Sequence, residues 1–221
     1  MNTCAAVALG LVSLTSAASA EIIVAVPGAS NPWLAGMPNG SMGGSGFDSA
    51  PAQSPVLAPV AVFGGAVFSF STTGAVSNGP GGGGPGPDGD TPPSFTFVLV
   101  ENGMATLNAP LNSLIGIFLD DTQPDLSDAP AGLDFNVLGL DFASLSPLLK
   151  QSFFIGDGLT SGAATQTFTA PAGATRLYLG SMDGLQWTEN SGEFSVTIVP
   201  APAAAALVGL AGLAALRRRQ R

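Results

Sequence analysis

Short apolar or alternating runs, separated by glycine and proline, cover most of the chain between residues 21 and 198. The last run alternates most clearly, because Phe194, Val196 and Ile198 are spaced two apart with polar residues between them. Successive side chains of a strand point to opposite faces, so this spacing predicts a strand with one buried face. The run 114–119 is apolar almost throughout, which is typical of a strand buried on both sides.

Applied along the whole chain, the same criteria predict eight or nine short strands and little helix. Gly64 and Gly65 indicate a hairpin between the second and third strands, and residues 144–151 indicate one helical turn. The Gly/Pro/Asp-rich stretch 79–93 indicates a surface loop. The predicted fold is an all-β, jelly-roll-like β-sandwich. Its predicted strands are residues 21–26, 56–62, 66–72, 94–100, 114–119, 153–155, 164–169, 176–181 and 192–198.

Both ends of the chain differ from this pattern. Residues 1–20 contain an apolar segment followed by Ala18-Ser19-Ala20, an A-x-A cleavage site, and therefore predict a secretory signal peptide. Residues 199–216 carry no charge, and arginines follow at 217, 218, 219 and 221. An apolar stretch of 18 residues with a terminal arginine cluster predicts a membrane-spanning segment whose C-terminus stays in the cytoplasm. The predicted organisation is thus a signal peptide (1–20), one β-sandwich domain (21–198) and a tail (199–221).

The tail resembles the PEP-CTERM sorting signal of exported bacterial proteins. The resemblance rests on three features: the prolines of a Pro-x-Pro motif, the apolar stretch and the terminal arginines. It implies that a membrane protease, exosortase, is the processing partner. It also implies transient attachment to the inner membrane and a final location at the cell surface or outside the cell. The family usually has Glu between the two prolines, where this chain has Ala201. The matching residues are Pro200, Pro202, Arg217, Arg218 and Arg219.

The charge balance of residues 21–198 restricts the classes of function. This part contains all 15 acidic residues but only Lys150 and Arg176 as basic ones, which gives a net charge of −13. Nucleic-acid binders need basic patches, so we expect no nucleic-acid partner. The carboxylates could attract divalent cations, or they could serve only to keep the domain soluble.

The chain has no histidine, and its one cysteine, Cys4, lies in the predicted signal peptide. A Ser or Cys nucleophile with an imidazole base cannot be assembled from these residues, nor can a zinc site built on His and Cys. A glycosidase needs only two facing carboxylates, but the sequence singles out no such pair. We therefore predict that the protein is not an enzyme.

Residues 181–192, which join the last two predicted strands, carry the strongest chemical signal. The loop places Asp183, Glu189 and Asn190 within eight residues, together with the carbonyl groups of an irregular turn. Calcium takes six to eight oxygen ligands of these kinds, so the loop is a candidate calcium site. Trp187 could stack on the apolar face of a sugar, or it could equally cap the core beneath the loop.

These last two strands and their loop resemble the C-terminal part of the PA-IL-type calcium-dependent galactose-binding lectins. In that family calcium is held by the loop and in turn holds sugar hydroxyls. The stretches 77–80 and 86–90 are similar to an earlier loop of the same family. Three departures are that Glu189 stands where the family has Asn, that the loop from Asp183 to Asn190 is one residue shorter, and that the family's sugar-binding His has no counterpart. The resemblance implies calcium ligands at Asp183, Gln186 (through its carbonyl), Glu189, Asn190 and Asn78 (through its carbonyl), and sugar contacts at Trp187, Asp88 and Asp90.

Three functions remain open on the sequence. The first is an exported, C-terminally sorted domain that binds polysaccharide or another glycan with calcium as cofactor. The second is a structural or adhesive component of an extracellular matrix with the same fold and no sugar site. The third, and least favoured, is a hydrolase that uses two carboxylates.

Overall fold

The computed structural model describes residues 20–201, in which glycine and proline separate short strands and leave little helix. One four-residue helix and three 3-10 turns (Pro32–Leu34, Pro124–Leu126 and Trp187–Glu189) accompany the strands of this part of the chain. The elements are β1 Ile22–Pro27, β2 Val56–Leu57, β3 Val67–Ser77, β4 Phe95–Val98, β5 Leu107–Pro110, β6 Leu114–Leu119, β7 Leu133–Asp134, α1 Phe135–Leu138, β8 Ser144–Leu145, β9 Ser152–Phe154, β10 Thr167–Thr169, β11 Arg176–Ser181 and β12 Ser191–Pro200.

The strands form two main sheets and one small one. The five-stranded sheet has the order β1-β12-β3-β10-β8, and the four-stranded sheet has the order β2-β11-β6-β9. The strands β4, β5 and β7 form a separate three-stranded sheet. The β10–β8 and β5–β7 pairs are parallel, and the other pairs are antiparallel.

Aromatic side chains from the two main sheets meet in the core. Phe118 of β6 lies 6.0 Å from Phe68 of β3, and Phe153 of β9 lies 5.4 Å from Phe168 of β10, measured between ring centroids. Phe194, Val196 and Ile198 of β12 are fully buried, and all six residues of β6 are buried. Apolar side chains shared between two facing sheets define a sandwich, so the prediction of an all-β sandwich is confirmed.

Two local predictions are wrong. The predicted hairpin 56–72 does not form, because β2 pairs with β11 in one main sheet and β3 pairs with β12 and β10 in the other. The predicted helical turn at 144–151 is instead the short strand β8 followed by a turn, and Lys150 there adopts a left-handed backbone conformation with φ 64°. The helix α1 was not predicted, since four residues capped by Asp134 are too few to show a helical period.

The strand β12 runs further than the predicted domain boundary at residue 198. Pro200 lies opposite Phe68 of β3, two residues beyond the last β12 residue that pairs with β1. A proline without an N–H is tolerated there because one side of the strand has already lost its partner. Three parts lie outside the described residues: Pro202, the arginines at the end of the predicted tail, and nearly all of the predicted signal peptide. Within residues 20–201 no helix is long and apolar enough to cross a membrane.

Candidate functional site

The loop that carries the strongest sequence signal lies at one end of the sandwich, where strands of both main sheets stop. The strand β11 ends at Ser181, opposite Leu114, and β12 begins at Ser191, opposite Ser77. The residues that follow or precede these four positions therefore meet at the same end. The loop 182–190 is in this way brought together with the segments that begin at residue 78 and end at residue 113.

Trp187 anchors this loop to the core. Its side chain is 2% exposed, its ring centroid lies 5.7 Å from that of Trp33, and its Nε1 donates a hydrogen bond to the Ser181 carbonyl over 2.9 Å. A ring buried to this extent has no face left for a sugar. The burial of Trp187 supports the alternative, a cap on the core beneath the loop, and gives no support to the predicted sugar contact.

A second anchor, Asp48, was not identified from the sequence. Its carboxylate is fully buried: Oδ1 accepts the Thr188 N–H over 2.9 Å, and Oδ2 accepts Asn31 Nδ2 over 3.2 Å. It thus joins the loop to the Gly/Pro-rich segment after β1. A single acid in a Gly/Ser-rich stretch carries no pattern, and its partner lies 140 residues away, so no local signal could have revealed it.

Asp183 is the carboxylate at the centre of the site, and it is 7% exposed. Its Oδ1 accepts the Gly184 N–H over 2.5 Å. Burial raises the pKa of Asp183, and the negative charge of Asp48 raises it further, while hydrogen bonds from Gly184, Asn190 and Leu185 act in the opposite direction. Burial and a like charge both disfavour the ionised form, so a nearby positive charge would relieve the site.

Asn190 closes the loop beside Asp183. Its Nδ2 donates to the Gly28 carbonyl over 3.2 Å, whereas its Oδ1 is buried and has no hydrogen-bond partner among residues 20–201. Gln186 is half-buried and directly precedes the 3-10 turn, and Glu189 is exposed at the end of that turn. An amide oxygen left unpaired in the interior is costly unless a ligand reaches it.

The segment that contains Asn78 meets this loop through Ser191. The Ser191 hydroxyl donates to the Gly79 carbonyl over 2.7 Å and accepts the Gly82 N–H over 3.0 Å. Asn78 itself is exposed and lies one residue beyond the pair that joins Ser77 to Ser191. The structure therefore brings together Asp183, Asn190 and the start of the Asn78 segment, as a shared site requires.

The two acidic residues of this segment, Asp88 and Asp90, have different hydrogen-bond partners. Asp90 Oδ1 accepts Asn112 Nδ2 over 2.8 Å, and the same Nδ2 lies 3.5 Å from Asn78 Oδ1. Asp88 instead accepts the Asp157 N–H over 2.8 Å and faces a cavity of about 400 Å³ that Asp141 also lines. Because the intervening Gly89 is buried and turns the chain, Asp88 does not share the environment of Asp90. Asp88 and Asp90 thus have different hydrogen-bond partners, which gives no support to their prediction as contacts of one sugar.

The donor set limits the kind of metal ion that could bind. Within the described part of the chain, no three Asp or Glu side chains are grouped closely enough to hold a metal ion. A cation here would depend on amide and backbone oxygens around one carboxylate. Calcium accepts such a set, and the unpaired Oδ1 of Asn190, whose side chain hydrogen-bonds Asp183, is compatible with it.

Comparisons with known proteins give a likeness in structure but no match in sequence. No protein-family model matches the chain, and no curated protein matches it. The chain is similar to a solved structure described as the EclA N-terminal domain, a PllA-like lectin. The likeness covers 81% of this chain and 96% of that domain, with 14% identity and a TM-score of 0.33. At this degree of likeness the function has to be argued from the side chains of the present chain.

Proposed function

We propose that the protein is an exported lectin-like domain that binds carbohydrate through calcium at the Asp183 end of the sandwich. One observation carries the proposal. Asn190, whose side chain hydrogen-bonds the buried Asp183 carboxylate, has a buried amide oxygen without a partner among residues 20–201, and that carboxylate has no cationic neighbour among its described contacts. Groups of this kind are expensive in a folded protein unless a bound ligand completes them.

The roles of the residues follow from their chemistry. The Asp183 carboxylate and Asn190 Oδ1 would hold the cation, with the Gln186 and Asn78 carbonyls and Glu189 as further oxygen donors. Asp90 lies within reach of the same end and is the retained candidate for a sugar contact. The bound calcium would supply coordination positions for vicinal hydroxyl groups of a sugar. Its positive charge would also offset the repulsion between Asp183 and the buried Asp48.

The route to the cell surface is the second part of the proposal. Residues 1–20 would direct export, and residues 199–221 would tether the protein to the inner membrane until exosortase processes the tail. Fractionation of cells that express the full chain tests this part. We expect the shortened protein in the extracellular or surface fraction, and recovery of the intact chain from the cytosol would contradict it.

A glycan array tests carbohydrate binding directly. The full chain is applied to immobilised polysaccharides and oligosaccharides in millimolar calcium, and then again after a chelator is added. We expect retention that disappears with the chelator and returns when calcium is restored. Retention that does not depend on calcium would remove the cation from the proposal, and no retention on any glycan would remove the lectin function.

One observation favours an adhesive, non-lectin component as the second candidate. Four apolar side chains are largely exposed around a groove next to the loop: Phe97 54%, Leu99 68%, Val100 57% and Leu185 59%. Contiguous apolar surface of this kind marks contact sites between proteins. If this candidate is correct, the protein self-associates at high concentration, Leu185→Ser reduces that association, and the glycan array stays blank.

A further inference from the structure

A groove of about 340 Å³ opens beside the Asp183 loop, at the edge of the small three-stranded sheet. Gly184 and Leu185, which directly follow Asp183, line one of its walls. The strand β4 contacts the loop at this point, since a Cβ at Gly184 would lie 2.7 Å from Thr96 Oγ1. The groove therefore begins one residue after the central carboxylate of the proposed cation site.

The walls of the groove are apolar and open to solvent. Phe97 is 54% exposed, Leu99 68%, Val100 57% and Leu185 59%. The four consecutive residues 97–100 line it, so it follows the chain for about 10 Å at roughly 3.3 Å per residue. Ligand sites are typically concave and mostly apolar with a few polar groups, and this groove has that composition.

The edge of β4 adds polar backbone groups beside the exposed Phe97 ring. Among the described strands, β4 is the outer strand of its sheet and pairs with β5 alone. The Leu111 N–H donates to the Ser94 carbonyl over 2.7 Å. Bonded and non-bonded pairs alternate along an antiparallel ladder, so the N–H and carbonyl of Phe97, opposite Asn108, point away from β5. One donor and one acceptor are thus left for a ligand.

The charge of the groove restricts its occupant. Glu101 lies in its lining, where the carboxylate packs against Gly44, and the charge of the buried Asp48 acts on Glu101 as well. The described residues that line the groove include no Lys or Arg. Residues 21–198 carry a net charge of −13, so an anionic ligand or a second copy of the domain would be repelled.

We propose that the groove is a second sugar subsite, in which Phe97 stacks on the uncharged sugar residue next to the one held at the cation. The inference rests on the proposed function, because the groove continues from the cation loop. A pyranose ring offers an apolar C–H face to the Phe97 ring and hydroxyl groups to the backbone of β4. The ligand class is then an oligosaccharide or polysaccharide of neutral sugars, and not a free monosaccharide.

Calorimetric titration in saturating calcium tests the subsite. The probes are the methyl glycosides of galactose, glucose and mannose, and disaccharides that extend each of these by one neutral sugar or by glucuronic acid. We expect the wild type to bind the best neutral disaccharide about tenfold more tightly than the corresponding methyl glycoside, through one aromatic contact. The disaccharide with glucuronic acid should show no such gain, because the wall carries negative charge.

Two substitutions at Phe97 isolate the ring. Phe97→Thr removes it and keeps a residue suited to a strand. This variant should lose the tenfold gain, bind the methyl glycoside as the wild type does, and keep the calcium-induced rise in melting temperature. Phe97→Tyr retains the ring and should retain the gain.

Two further variants complete the design. Phe63→Thr is the matched control, since Phe63 is 51% exposed and precedes β3 at the end of the sandwich opposite to Ser77 and Ser191. It should leave every affinity unchanged, and a loss of the gain in this variant would contradict the assignment to Phe97. Glu101→Gln removes the charge from the wall and should give the glucuronic acid disaccharide the affinity of the neutral one.

The outcomes separate the two proposals. If the wild type binds none of the probes, the proposed function fails and the subsite fails with it. If it binds methyl glycosides with calcium but gains nothing from a second sugar, only the subsite is overturned. The subsite is also overturned if Phe97→Thr weakens both classes of probe equally. A wild type that is dimeric by light scattering, with a monomeric Phe97→Thr, would assign the groove to self-association instead.

Discussion

Two groups of aspartates in this domain differ in how completely the protein itself satisfies them. At the cavity near residues 140–163, Asp141 accepts two hydrogen bonds from Ser161, one from the N–H over 2.6 Å and one from the hydroxyl over 2.7 Å. Asp157 in the same cavity accepts the Leu159 N–H over 2.7 Å. The bonds from Ser161 lower the pKa of Asp141, so its negative charge is stabilised without any ligand.

The Asp183 end of the sandwich shows the opposite arrangement. Burial raises the pKa of Asp183, and the amide oxygens of Asn190 and Asn112 lack partners among residues 20–201. In the first group, Asp141 and Asp157 close turns through hydrogen bonds that the protein itself supplies. The second group leaves acceptors open, which is what a ligand site requires. Acidic composition alone does not distinguish the two, whereas hydrogen-bond satisfaction does.

The largest expected effect concerns the support of the Asp183 loop by the core. Trp187→Ala should lower the free energy of unfolding by about 3–5 kcal/mol, because it removes a buried indole. Trp187→Phe should cost about 1–3 kcal/mol, since it leaves the buried Ser181 carbonyl without its donor. Denaturant unfolding measures both. At the other group, Leu159→Ala should have a much smaller effect because Leu159 is 38% exposed.

Replacement of Asp183 should show most directly that the two groups of aspartates differ in their response to calcium. Calcium at about a hundredfold excess over its Kd should stabilise the wild type by about 2.7 kcal/mol. For a domain of this size, each kcal/mol of stabilisation raises Tm by about 2–4 °C. Asp183→Asn should abolish this response and Asp141→Asn should preserve it, as measured by thermal unfolding with and without calcium. Equal responses in the two variants would refute the assignment.

The contributions of Asp183 and Asp141 to stability should also change with pH in opposite directions. Because the folded-state pKa of Asp183 is raised, its contribution to stability is full below the unfolded value and is lost as pH rises through the folded pKa. The pKa of Asp141 is lowered, so its contribution is present above the unfolded value and is lost as pH falls through the folded pKa. Carboxyl-carbon NMR titration checks both directions.

Calcium should couple to the first of these titrations. A proton on Asp183 competes with the cation, so calcium-induced stabilisation should weaken as pH falls through the raised pKa of Asp183. Asp183→Asn should eliminate this pH dependence. A calcium response that is constant from neutral to acidic pH would indicate that the cation binds elsewhere.

The smallest effect on stability is expected beside Asp141, whose carboxylate already accepts hydrogen bonds from Ser161. Ser161→Ala removes the hydroxyl that donates to Asp141 and leaves the backbone bond in place. Stability should change only slightly, because the pair is exposed and solvent replaces the lost donor. Calcium and sugar binding should not change, and a loss of either would show that the two groups are coupled.

The sequence predicted those elements whose signal is local. The alternation of Phe194, Val196 and Ile198 identified β12, and the apolar run of β6 identified a fully buried strand. The strand β5 was missed because Asn108 and Pro110 interrupt its apolar pattern. The pairing of β2 with β11 was missed because turn residues at 64–65 indicate a hairpin only when both flanking strands enter the same sheet.

The candidate site was predictable in part for the same reason. Asp183, Asn190 and Trp187 lie in one short loop, so composition and spacing drew attention to them. Asp48 and Asn112 reach that loop from segments 135 and 71 residues away along the chain. Their contributions depend on burial and on an unpaired oxygen, which are properties of the folded domain and have no counterpart in residue spacing.

The position of Asp48 couples the loop to the segment after β1. Since this carboxylate holds both Thr188 and Asn31, the loop cannot keep its shape if the segment after β1 opens. Any ligand that requires the ordered loop must then also slow the opening of that distant segment. Hydrogen exchange at residues 28–53 should therefore slow when the site is occupied.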